Sequence, residues 1–157
     1  MPDSDFFAAL RALREGGVEF AVVGGLAAVL NGAPVNTFDL DIVPARNQEN
    51  VAKLLRVLEG MQPERRLKPG ASHLSSPGHH NMMTDCGPLD VLGTIGRGMG
   101  FEDLAPHTIE MEIGGGVSVR VLNLETIVAL KEELAGEKDR AVLPVLRRTL
   151  QEKHGGK

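Results

Sequence analysis

Residues 38–43, Phe-Asp-Leu-Asp-Ile-Val, set two carboxylates into an otherwise apolar run of strand-forming residues. Successive strand side chains point to opposite faces, so Asp39 and Asp41 share one face while Phe38, Leu40 and Ile42 share the other. A chain with this segment has to build a sheet that packs a core on one side and leaves the acids open on the other. Two like charges a few ångströms apart repel, and a fold that keeps both usually supplies a cation; hard oxygen ligands of this type suit Mg²⁺. An Asp-x-Asp pair is also common on solvated strand faces and in turns, so it needs support from the rest of the chain.

That support has an order. Before the acid pair, Val18–Val23 reads as a buried strand running into Gly24-Gly25 and then a short helix closed by Asn31-Gly32. Ahead of it lies a helix over 4–15 with Asp3 or Ser4 as its N-cap. The acid-bearing strand spans Thr37–Val43, and Asn47 opens a helix with apolar positions Val51, Leu54, Leu55 and Leu58. Residues 61–79, rich in Pro, Gly, Ser and basic side chains, read as a loop bordering the site, with a short strand near Arg66. Two hairpins follow, 80–84 with 89–95 around Asp85-Cys86-Gly87-Pro88, and 107–113 with 117–122 around Gly114-Gly115-Gly116. Between them lie a flexible Gly96–Gly100 stretch and a helical turn at 101–104. Asn123 caps a helix to Leu134, and a last helical segment covers about 138–153, with Pro144 either kinking it or marking its true start. The expectation is one domain over 1–153 and a disordered tail at 154–157, of α/β (α+β) class, with a mixed sheet and helices packed mainly on one face.

Composition removes several function classes. A formal net charge of −4 does not suit a protein that coats nucleic acid, and a chain with no Trp, no Tyr and five Phe lacks the usual stacking platforms for single strands. Any RNA or DNA would be held by a few basic residues such as Arg46, Lys53, Arg56, Arg65, Arg66 and Lys68, each of which also reads as ordinary solvated surface. No membrane-length apolar run or signal-peptide pattern is present, so a cytoplasmic protein is expected, and the lone Cys86 reads as packing or turn filling.

Two further features join the acid pair. Gly24 and Gly25 let the backbone approach a ligand closely, and the following helix aims its free N–H groups at any anion there, which is where a triphosphate would lie; the plainer reading is a glycine turn chosen for its backbone angles. Asp90, inside Pro-Leu-Asp-Val-Leu, is an acid without a local cationic partner in a buried-type strand, costly alone and useful as a third metal ligand, unless it sits at an exposed strand start after Pro88. His79 and His80 face opposite sides of a strand and do not make a joint metal site, so a turn or supporting role is expected. Glu110 and Glu112 read as the solvated face of an edge hairpin, and Asp139 as a helix cap. No Cys or His cluster has zinc spacing.

A glycine pair after the first strand, two acids on the next strand and a third acid on a later strand resemble the nucleotidyltransferase (DNA polymerase β-like) superfamily over residues 18–95. The ending, Leu124–Leu143, is similar to the C-terminal helices of small bacterial members, including abortive-infection type toxins of toxin–antitoxin pairs. The resemblance implies transfer of an NMP group from an NTP, ATP among them, to an acceptor hydroxyl with release of pyrophosphate. Asp39, Asp41 and Asp90 would be the catalytic metal ligands for Mg²⁺ or Mn²⁺, and Gly24 and Gly25 would position the phosphates. Many active members carry Ser where this chain has Gly25, so Thr37 stands as the substitute hydroxyl; Pro34-Val35-Asn36 occupy a place where the toxin-like group often has a basic residue. Lys131 and Lys138, seven apart, could reach a triphosphate as point charges or lie on a solvated helix face. The acceptor is open among RNA, protein and small molecule, and the short chain suggests a homodimer or a partner chain. The alternatives are an inactive nucleotide- or metal-binding regulatory module and a partner subunit of a two-component system.

Overall fold

The first helix, α1 (Phe6–Glu15), starts where Asp5 accepts the Ala8 N–H at 3.0 Å, and it buries Leu10 and Leu13 at helical spacing. The computed structural model describes residues 5–61, 70–134 and 137–155, with side chains at 5–61, 70–133 and 141–154. The cap is thus Asp5; Asp3 and Ser4 lie outside the described residues, as do the expected strand near Arg66 and the basic cluster Arg65, Arg66 and Lys68. Along the chain follow β1 (Phe20–Val23), α2 (Gly24–Leu30), β2 (Leu40–Pro44), α3 (Gln48–Gly60), α4 (Ala71–Leu74), β3 (His79–Thr84) and β4 (Gly87–Leu92). Then come α5 (Phe101–Leu104), a 3-10 turn, β5 (Thr108–Gly114), β6 (Val117–Leu122), α6 (Leu124–Leu134) and α7 (Glu137–Gly155).

The strands form one mixed sheet in the order β3-β4-β2-β1-β6-β5. Both hairpins are antiparallel, β1 pairs antiparallel with β2, and the β2–β4 and β1–β6 pairs are parallel. The central strand β1 is buried along its whole length, as its unbroken apolar run requires. Leu40 and Ile42 of β2, Leu54 and Leu58 of α3, Leu122 and Leu146 join it in a continuous core.

Local patterns and tertiary context disagree in a few places. β2 begins at Leu40, three residues later than the apolar alternation suggests, because β1 ends at the Val23–Asp41 pair and turns into α2. On its other side, Leu40 pairs with Leu89, so the next residue back along β4 is Pro88, which has no N–H to offer. The Gly96–Gly100 stretch is a closed turn: Ile95 and Met99 exchange two backbone hydrogen bonds of 2.9 and 2.8 Å, with Gly96 and Gly98 at positive φ. Residues 71–74 of the expected loop are helical. α7 runs through Pro144 and on to Gly155, two residues into the segment read as a tail; 156 and 157 lie outside the described residues. Asp139 therefore sits in the first turn of α7 and is not its cap.

Two buried asparagines tie layers together. Asn50 of α3 accepts the Glu19 N–H at 2.7 Å and donates to the Glu19 and Ala45 carbonyls at 2.9 and 2.7 Å, clamping the entry of β1 to the exit of β2. Asn31, after α2, donates to the Ala27 and Leu122 carbonyls at 2.8 and 3.0 Å and accepts from Lys153 Nζ. Asn50→Ala takes the side-chain partner from the Glu19 N–H and the Ala45 carbonyl and one of two donors from the Glu19 carbonyl, which keeps the Ala45 N–H, and is expected to lower stability by about 2–4 kcal/mol. Urea unfolding, with the midpoint falling and the slope unchanged, checks it.

Candidate functional site

The parallel pairing of β2 with β4 sets Asp41 directly beside Asp90. Asp39 lies at the bend just before β2. One carboxylate oxygen from each of the three aspartates falls within 4.8 Å of the others, with Asp41 and Asp90 half-buried and Asp39 exposed. The three acids singled out in the sequence thus converge. For Asp39 this follows from the bend that leads into the strand and not from strand alternation, since Asp39 is outside the ladder.

The glycine pair has a more specific task than approach to a ligand. Val23 is the partner of Asp41 across β1 and β2, so the next residue, Gly24, falls over the Asp41 side chain. A Cβ at Gly24 would overlap Asp41 Oδ2, and Gly24 has φ of +68°, a conformation that L side chains rarely adopt. Gly24 is what lets the second acid occupy its place. At Gly25 an added Cβ would lie 2.9 Å from Thr37 Oγ1, so this glycine holds the loop before β2 close against α2. The Thr37 hydroxyl donates to the Asp39 carbonyl at 3.1 Å, pinning the bend that carries Phe38 and Asp39.

The cluster is electrostatically uncomfortable as it stands. Burial, a hydrogen bond to Asp90 and the charges of Asp90 and Asp39 push the Asp41 pKa up to about 7, while Lys131 opposes them. Asp41 Oδ1 is buried without a hydrogen-bond partner. A buried carboxylate oxygen with no donor, facing two more carboxylates across a few ångströms, is a donor set suited to a hard divalent cation. The residues present therefore fit a metal of the Mg²⁺ or Mn²⁺ kind, held by Asp39, Asp41 and Asp90.

Two cavities meet at this cluster, both bordered by Gly24, Asp41 and Lys131. The larger, about 370 Å³, adds Gly25, Thr37, Phe38 and Asp39, with Ala28, Val35, Val142 and Leu146 as its apolar part. The smaller, about 270 Å³, is mainly apolar, formed by residues such as Leu92, Ile95, Leu122 and Leu130, with His79 on its border. Gly24, Gly25, Thr37 and Lys131 are thus brought to the aspartates. Lys138 belongs to the first turn of α7, and its side chain lies outside the described residues.

Of the two histidines, His79 borders the smaller cavity and bonds through Nε2 to the Thr94 carbonyl at 2.9 Å. His80 bonds to the His73 carbonyl at 2.7 Å. Glu110 and Glu112 are exposed on the edge strand β5, the solvated face expected of them. Arg46 donates to the Ser75 carbonyl, Lys53 pairs with Glu49 within α3, and Arg56 is exposed. Cys86 fills the turn of the first hairpin, where its N–H bonds to Thr84 Oγ1 and its carbonyl accepts from Asp5. The smaller cavity escaped the sequence because its walls come from β1, β4, β6 and α6; Gly96, at positive φ beside Leu130, is the one local sign of it.

No protein-family model and no curated sequence matches the chain. Among solved structures, it is similar to a Thermotoga maritima protein provisionally named a nucleotidyltransferase, at 20% identity and a TM-score of 0.59, over 94% of this chain and 91% of that one. The chain has a nucleotidyltransferase-like fold, with a potential metal-binding acidic triad on it. Among the described residues, no helix is long and apolar enough to cross a membrane.

The raised Asp41 carboxyl makes stability depend on pH. In the absence of metal it titrates near 7 in the folded chain against 3.8 for an unperturbed aspartate, so between those values the folded state holds a proton that the unfolded state has released. Metal-free stability is therefore expected to fall as pH rises from about 4 to about 7 and to level off above. Asp41→Asn flattens this slope and gives a protein more stable than wild type at pH 8. Thermal unfolding in EDTA at pH 5 and pH 8 measures both effects; identical pH dependence in the two proteins would contradict the assignment.

Proposed function

We propose that the chain is a metal-dependent nucleotidyltransferase, moving an NMP group from an NTP to an acceptor hydroxyl and releasing pyrophosphate. The observation that carries this reading is the convergence of Asp39, Asp41 and Asp90 around the partnerless Asp41 Oδ1, at the junction of two cavities, in a fold of this class. Asp39, Asp41 and Asp90 hold Mg²⁺ or Mn²⁺, which supplies neutralisation of phosphate charge and orientation of the reacting oxygens.

The protein side of the chemistry is positioning. Gly24 and Gly25 line the larger cavity beside the acids, where the phosphates would lie against their backbone, and Lys131 offers a point charge from α6; Lys138 is the second candidate cation, from the start of α7. Asp90, on the strand next to Asp41, would help activate the acceptor by taking up its hydroxyl proton. The Thr37 hydroxyl donates to the Asp39 carbonyl, so its contribution is to set the bend; contact with a phosphate would require that bond to break.

RNA, protein and small molecule are the acceptor classes within this proposal, as are a homodimer or partner chain and a cytoplasmic location. The abortive-infection subtype rests on the likeness of residues 124–143 alone. The test is pyrophosphate release from each NTP with Mg²⁺ or Mn²⁺, in the presence of cell extract to supply the acceptor. Wild type is expected to turn over, and Asp41→Asn and Asp90→Asn each to lose several orders of magnitude, with Asp90→Asn keeping much of the nucleotide affinity. Release no greater than that of Asp41→Asn under every condition would leave a nucleotide- or metal-binding module in place of the enzyme.

A further inference from the structure

By alternation Phe38 belongs with Leu40 and Ile42 on the core face, and it is not there. Leu40 and Ile42 are buried, while Phe38 is 76% exposed, the most exposed large apolar side chain among the described residues. Phe20 and Phe101, by contrast, are buried in the core. The cause is the late start of β2, which leaves Thr37, Phe38 and Asp39 in a bend held by the hydrogen bond from Thr37 Oγ1 to the Asp39 carbonyl. A single exposed apolar residue needs no explanation in general. This one borders the larger cavity and is the chain neighbour of a triad aspartate.

The larger cavity has two kinds of wall. Gly24, Gly25, Asp41 and Lys131 form a polar part suited to phosphates and a cation, and Val35, Val142 and Leu146 form an apolar part. A nucleotide has the same division, a charged triphosphate joined to a flat ring with two apolar faces. Resting on the nucleotidyltransferase reading of this cavity, we propose that Phe38 is the surface on which the nucleobase stacks. Stacking uses the face that every base has and not its hydrogen-bonding edge, so binding tolerates all four bases and favours the larger purines. The Thr37–Asp39 bond spans the backbone of Phe38 and holds its Cα beside the acid cluster, which orders part of the bend before the nucleotide arrives.

The chain contains no Trp and no Tyr, so Phe38→Trp puts a single indole at the proposed contact and makes it directly visible. With Mg²⁺ present, ATP is expected to quench this fluorescence and inorganic tripolyphosphate to leave it unchanged. In calorimetry Phe38→Ala is expected to weaken ATP binding roughly 5- to 100-fold, with a smaller loss for CTP. Its tripolyphosphate affinity and melting temperature should equal those of wild type, because the ring is exposed. Unchanged ATP affinity in Phe38→Ala would overturn the stacking role, whether or not the substitution alters self-association; altered sedimentation would then mark the ring as a contact between copies. A wild-type protein that binds neither ATP nor tripolyphosphate with Mg²⁺ would overturn the nucleotide reading of the cavity itself, a result separable from loss of stacking alone.

Discussion

Repulsion among three carboxylates within 4.8 Å of one another is the constraint on which the site end of this sheet depends. Hydrophobic burial alone would not bring Asp39, Asp41 and Asp90 together; strand order does. β2 lies between β1 and β4, so its second residue, Asp41, meets Asp90 through a parallel ladder on one side and the end of β1 through an antiparallel ladder on the other. The cost appears in the raised Asp41 pKa and the partnerless Oδ1, and a cation bound there would relieve both.

The same crossing explains the glycines. A side chain at Gly24 would displace Asp41, and one at Gly25 would crowd Thr37, so the turn from β1 into α2 and the bend before β2 are fitted to each other. Away from this end, Asn50 and Asn31 secure the ladder from the helix side through buried hydrogen bonds. The core holds β1 and β2 still, and that rigidity keeps the acids together against their repulsion.

Much of this could be read from residue order. The Gly-Gly turn, both hairpins and the caps at Asn47 and Asn123 are legible because each rests on a local rule of turn chemistry, strand patterning or capping, and the three aspartates stand out as acids in apolar runs, although what brings them together is the bend at Asp39 and the pairing of β2 with β4. What was not legible depended on partners distant in sequence. Nothing within 37–43 says that β1 stops opposite Asp41 or that Pro88 stands where a ladder donor would be, so alternation alone puts Phe38 on the core face and Thr37 in the strand. The smaller cavity and the Asn50 clamp likewise exist only once β1, β4, β6, α3 and α6 are assembled. The sequence marks Gly24 as a point of close approach, but its neighbour there is Asp41, a partner that only the register of β1 on β2 specifies.

The central claim is that these carboxylates form one cation site in which Asp41 exchanges a proton for a metal ion. Calorimetric titration with Mn²⁺ at pH 6.5, in two buffers of different protonation enthalpy, tests it most directly. With Asp41 near pKa 7 in the metal-free protein, binding at pH 6.5 should release roughly three-quarters of a proton per ion, and at pH 8.5 the release should nearly vanish. Absence of Mn²⁺ binding, or binding at pH 6.5 without proton release, would contradict the account.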